Sequence, residues 1–136
     1  MNIKNRKQPK KRETNIYSDI TEEKLHDALR KMGEKHLKQP YKTQWTPERP
    51  TTGYCYVVTE MVYHCLAPRG SKSYVLKTED INHWFIRQPD GQVIDLTADQ
   101  FDIPLQYEKG KPQAFLTKNI SKRGQILADL LGLKKT

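Results

Sequence analysis

The chain has 136 residues, 35% hydrophobic and 29% charged, with a formal net charge of +8. That length suits one domain with a modest core, and no apolar run approaches the roughly 20 residues that a membrane span needs. The basic N-terminus is not followed by an apolar signal core. Two cysteines make no disulfide framework, so a reducing, cytoplasmic location is expected, host cytoplasm if the protein is phage-encoded.

The charge is uneven. Lys4, Arg6, Lys7, Lys10, Lys11 and Arg12 face only Glu13 within residues 1–13, and Lys118, Lys122, Arg123, Lys134 and Lys135 face only Asp129 within residues 117–136. The middle of the chain is close to neutral. Basic ends of this kind attract nucleic acid, a ribosome or an acidic membrane face, although most such tails are merely solvated. Residues 1–16 read as a disordered basic arm, and residues 17–136 as a single α+β domain.

A helix is expected from Thr21, whose hydroxyl can cap free amides, with Glu22 and Glu23 at the positive end of the dipole. Leu25, Ala28, Leu29, Met32 and His36 follow at helical spacing. Residues 38–53, with Pro40, Pro47, Pro50 and Gly53, read as an irregular crossing anchored by Trp45. A second helix is expected from about Tyr54 to Leu66. Val57, Val58, Met61, Val62 and Cys65 make it apolar over much of its surface, which suits a buried central helix.

Beyond Gly70 the period shortens. Ser73–Lys77, His83–Gln88 and Gln92–Leu96 read as strands, the last two flanking Pro89-Asp90-Gly91. Proline presets the first turn position and glycine takes the left-handed one, which predicts a three-residue hairpin loop. Thr97-Ala98-Asp99-Gln100 resembles a capping box that opens a short helical turn. One more strand over Gln113–Thr117 and a last amphipathic helix over about Ser121–Leu131 complete the reading. The fold class is α+β: a central helix on a small antiparallel sheet, with extra N- and C-terminal helices.

Three residues carry the chemistry. Cys55 falls in the first turn of the central helix, where the dipole favours a thiolate and free amides can hold an oxyanion. Cys65, roughly 15 Å along the same helix, reads as core. His83 begins a strand and is positioned by Trp84 and Phe85. With residues 89–91 as the loop, Gln88 faces Gln92 and Asp95 faces Phe85, so Asp95 lies diagonally beside His83. A two-residue loop would turn Asp95 to the other face. Nucleophile, base and orienting carboxylate are the three roles of a cysteine hydrolase. Taken singly, each residue also fits a plain structural role as core, strand edge or helix cap.

Gly53-Tyr54-Cys55, His83-Trp84 and the run Pro89-Asp90-Gly91-Gln92-Val93-Ile94-Asp95-Leu96-Thr97-Ala98-Asp99-Gln100-Phe101 resemble the YunG-like family of small bacterial and phage proteins. That family is in turn similar to papain-like and NlpC-type cysteine peptidases in the order Cys, His, polar residue. The resemblance covers about residues 50–117 and implies a papain-like core, with Cys55 as nucleophile, His83 as base and Asp95 as orienter. Gln39 and Gln44 are the nearby side chains able to donate to an oxyanion.

Other constellations fit less well. Cys55, His64, Cys65 and His83 match no common zinc spacing, and His64 and Cys65 point about 100° apart on one helix, so no metal and no cofactor are expected. Tyr54, Tyr56, Tyr63 and Tyr74 suit core or rim positions better than base stacking. The expected activity is cleavage of an amide, isopeptide or thioester in a protein or small amide substrate, through an acyl intermediate on Cys55. A binding module without catalysis that engages nucleic acid or a host protein through the basic ends is one alternative. A transglutaminase-type acyl transferase is another. No membrane association is expected.

Overall fold

The computed structural model describes residues 20–135; the basic arm expected over residues 1–16 lies outside them. Helix α1 (Glu22–Met32) starts where Thr21 Oγ1 accepts the amide of Lys24 at 3.0 Å. It buries Leu25, Ala28, Leu29 and Met32 and stops at Gly33, which takes φ +67°. His36, read as the end of this stripe, therefore lies past the helix: the left-handed glycine breaks the period before the stripe reaches it.

The crossing that follows holds a short helix, α2 (Tyr41–Gln44), which the proline-rich composition did not suggest. Trp45 is half-buried and donates its indole N–H to the Pro50 carbonyl at 2.9 Å, so the anchor is there, though at the core's edge. Helix α3 (Cys55–Cys65) is buried at all but two of its positions, Tyr56 and Tyr63. A helix buried on nearly every side has to sit between layers. Here α4 (Lys122–Leu131) and the sheet cover it, and α1 packs on α4.

Four antiparallel strands form the sheet in the order β3-β2-β1-β4: β1 (Lys72–Lys77), β2 (Asn82–Arg87), β3 (Val93–Ile94) and β4 (Lys111–Pro112). The fold is thus mixed α+β with one small antiparallel sheet. The expected strand over Gln113–Thr117 is not formed. Pairing with β1 occurs two residues earlier, at Lys111 and Pro112, and after the Gln113 amide meets the Ser73 carbonyl the chain leaves the sheet.

Ile86, Ile94, Leu127 and Ala128 join the apolar residues of α1 and α3 in one core cluster. A buried carboxylate ties α3 to α4: Glu60, fully enclosed, accepts the Ser121 amide at 3.0 Å and the Ser121 hydroxyl at 2.5 Å. Ser121 in turn caps α4 through the Gly124 amide. Among the described residues no helix is long and apolar enough to cross a membrane.

Candidate active site

The hairpin between β2 and β3 sets the geometry. Ile86 pairs with Ile94 and Arg87 with Val93, and the Gln88 amide meets the Gln92 carbonyl at 2.8 Å. Gly91 takes φ +91°, so residues 89–91 are the loop. Continuing the ladder one step puts Asp95 across from Phe85 and diagonal to His83. The three-residue register read from Pro89-Asp90-Gly91 is the one the chain adopts. Side chains alternate along a strand, so His83 and Phe85 share the face opposite Trp84 and Ile86, and Trp84 meets Tyr56 of α3 edge-on at 4.8 Å.

On that face His83 is fully buried, and its Nε2 lies 2.6 Å from Asp95 Oδ2. The Asp95 side chain is only 4% exposed. Every one of its oxygens is occupied. Oδ2 also accepts the Tyr107 hydroxyl at 2.7 Å, and Oδ1 accepts the Thr97 amide at 3.2 Å and, more weakly, the Thr97 hydroxyl at 3.4 Å. The capping box expected at Thr97 is therefore absent. Its hydroxyl turns back to Asp95, and the turn Ala98–Gln100 has no side-chain cap. Phe101 closes the ring from the side, edge-on at 4.8 Å.

Burial by itself pushes the His83 pKa down, because it strips water from the charged ring. The charge and hydrogen bond of Asp95 act the other way and, with a smaller contribution from the adjacent Cys55, raise it to about 10. At neutral pH His83 is then cationic. Its second nitrogen, Nδ1, is buried, and Cys55 is near enough to raise the ring's pKa by both hydrogen bonding and charge. The sulfur also reaches the Asn82 carbonyl at 3.7 Å.

Cys55 opens α3, whose first hydrogen bond to the cap runs from the Val58 amide to the Tyr54 carbonyl. The amides of the first turn have no partner inside the helix, as at any helix start. Gly53, at φ +78°, delivers the chain to this point. Tyr41 stands beside it, and burial first, then proximity to Cys55 and Asp80, raises the Tyr41 hydroxyl above its ordinary value. Cys65, at the other end of α3, is free and buried; burial and then Asp129 raise its thiol.

Two polar contributors were not legible from sequence. Tyr107 sits twelve residues beyond Asp95 in a loop with no periodic pattern, and only the fold brings it back. Gln100 accepts the Gly53 amide at 3.4 Å and donates to the Thr97 carbonyl at 3.1 Å, linking the Asp95 loop to the approach to Cys55. The side-chain oxygen of Gln39 accepts from the Thr43 amide and hydroxyl.

Cys55, His64, Cys65 and His83 do not come together as a ligand set. Among the described residues the one group with ligand atoms within 4.8 Å is Glu22, His26 and Asp99. There His26 Nε2 lies 3.0 Å from Asp99 Oδ2, and Asp99 accepts the Thr51 hydroxyl at 2.8 Å. These polar contacts join α1 and the segment before α3 to the turn at 98–100.

Cys55 thus stands at a helix start beside a buried histidine held by a carboxylate, in a small α+β fold. The chain belongs to the YunG family: the family model described as YunG protein matches residues 21–130. Neither the curated proteins nor the solved structures give a match.

Proposed function

We propose that this chain is a cysteine-dependent hydrolase with a papain-like core, acting on an amide, isopeptide or thioester. The observation that carries the reading is the His83–Asp95 pair, buried at 2.6 Å beside Cys55. A cationic ring next to a sulfur at a helix N-terminus is what a thiolate nucleophile requires. The sulfur attacks the carbonyl carbon, and amides of the first turn of α3 receive the developing oxyanion. As the C–N bond breaks, His83 gives its proton to the leaving amine. Water then adds to the thioester with His83 as base, releasing the acid and restoring the thiolate. Asp95 keeps the ring oriented and its charge balanced throughout.

Brief exposure to p-nitrophenyl acetate tests this reading. Peptide mass spectrometry should find acetyl on Cys55 well before Cys65, and Cys55→Ser should lose the ester turnover. Equal, slow acetylation of both cysteines would remove the nucleophile from the reading.

A further inference from the structure

A cavity of about 670 Å³ opens at the free edge of β1, between the end of that strand and the segment 103–113. Leu76, which lines it, is the direct cross-strand partner of His83, and Lys77 is the partner of Asn82, whose carbonyl receives the Cys55 sulfur. The groove therefore begins one strand away from His83 and Asn82, both of which approach Cys55. Its apolar lining includes Leu76, Leu105 and Ile103, the last 71% exposed. Lys77, Lys109 and Lys111 also line it, Lys77 and Lys111 from the strand face opposite Leu76, with Glu79 as the sole acid in the lining.

The backbone on this side is also open. Strand β4 pairs with β1 only at Tyr74 and Val75. Hydrogen bonding alternates along an antiparallel strand, and the Thr78 amide bonds inward to the Ile81 carbonyl. Lys77, one residue before it, thus turns its N–H and C=O outward, beyond the last rung to β4. Among the described residues no backbone group pairs with them.

We propose that this groove receives an extended polypeptide segment carrying alternating acidic and apolar side chains, added as a short strand at Lys77 and led toward Cys55. The open strand edge supplies main-chain pairing, the apolar floor takes one set of side chains, and the three lysines select carboxylates. This rests on Cys55 being the nucleophile, and it narrows the substrate to an acidic protein segment.

The test uses a fluorescent eight-residue peptide of alternating Glu and Leu, its Lys/Leu counterpart, and an acidic version N-methylated at alternate residues. Binding is read by fluorescence anisotropy. The Glu/Leu peptide should bind, weaken as salt rises, and slow iodoacetamide labelling of Cys55. The N-methylated version should lose binding because it cannot pair. Lys109→Glu combined with Lys111→Glu should weaken the acidic peptide by about tenfold and improve the Lys/Leu peptide, a gain that an unfolded variant could not give. Absent binding, equal binding of both charge forms, or full binding of the N-methylated peptide would overturn the proposal. The labelling rate of Cys55 without peptide is measured separately: slow labelling removes the nucleophile, while the peptide data still decide the groove.

Discussion

Gly53 lies so close to Tyr41 that a Cβ built at position 53 would stand 2.7 Å from the Cβ of the tyrosine. Its φ of +78° adds a second reason for glycine, since L side chains rarely take that conformation. Two residues later comes Cys55. Gly53→Ala should therefore destabilise the fold by about 2 kcal/mol or more, measured by urea unfolding, and slow acetylation of Cys55 by displacing the start of α3. An alanine variant with unchanged stability would mean that Tyr41 yields freely and that the close approach constrains nothing.

Replacing Asp95 by asparagine separates the two forces on His83. With the carboxylate charge gone, burial dominates, and the ring's pKa should fall from about 10 to below its ordinary value. At pH 7 the imidazole then becomes neutral, which proton NMR of the ring detects directly. Acetylation of Cys55 should drop by about tenfold or more. A His83 that stays cationic in the asparagine protein would show that another charge holds it.

Tyr107→Phe removes one donor from Asp95 Oδ2 and leaves His83 in place. Hydrogen bonds to a charged acceptor contribute about 1.5–3 kcal/mol, so a loss toward the lower end is expected, because Asp95 keeps its other partners. Tyr107 is a positioning residue, acting on the ring only through Asp95. Its loss should move the His83 titration as well as the unfolding midpoint. A midpoint shift with an unmoved titration would reduce the tyrosine to packing against Phe85, which it meets at 5.0 Å.

The raised pKa of His83 also fixes how stability depends on pH. Between the unfolded value near 6.5 and the folded value of about 10, the native state holds a proton that the unfolded chain has released. The contribution of His83 is therefore complete below about pH 6.5 and is lost as pH climbs toward 10. Thermal melts across pH 6–10 should show a decline that the Asp95→Asn protein lacks. Equal slopes in both proteins would assign the decline to other groups.

The parts of this molecule that follow local rules were legible in the sequence. Thr21 caps a helix where capping chemistry put it, and Pro89-Asp90-Gly91 set a register that decides which face Asp95 occupies. What escaped depends on distant partners. Whether β4 forms at 111–112 or further on is settled by where the chain meets β1, and its two residues carry no alternating pattern of their own. The short helix at 41–44 hides among prolines. Tyr107 and Gln100 join the cluster through the course of the 95–113 loop. His36 was misplaced for a simpler reason, because Gly33 ends the helix while the apolar spacing runs on past it.

Nδ1 of His83 is enclosed, and Cys55 acts on the ring through both hydrogen bonding and charge. A compound that engages this pair binds the native chain and not the unfolded one, which links occupancy of the site to the melting temperature of the whole chain. The cluster thus offers an assay independent of turnover: a library of small carbonyl compounds can be ranked by how far each one raises the melting point.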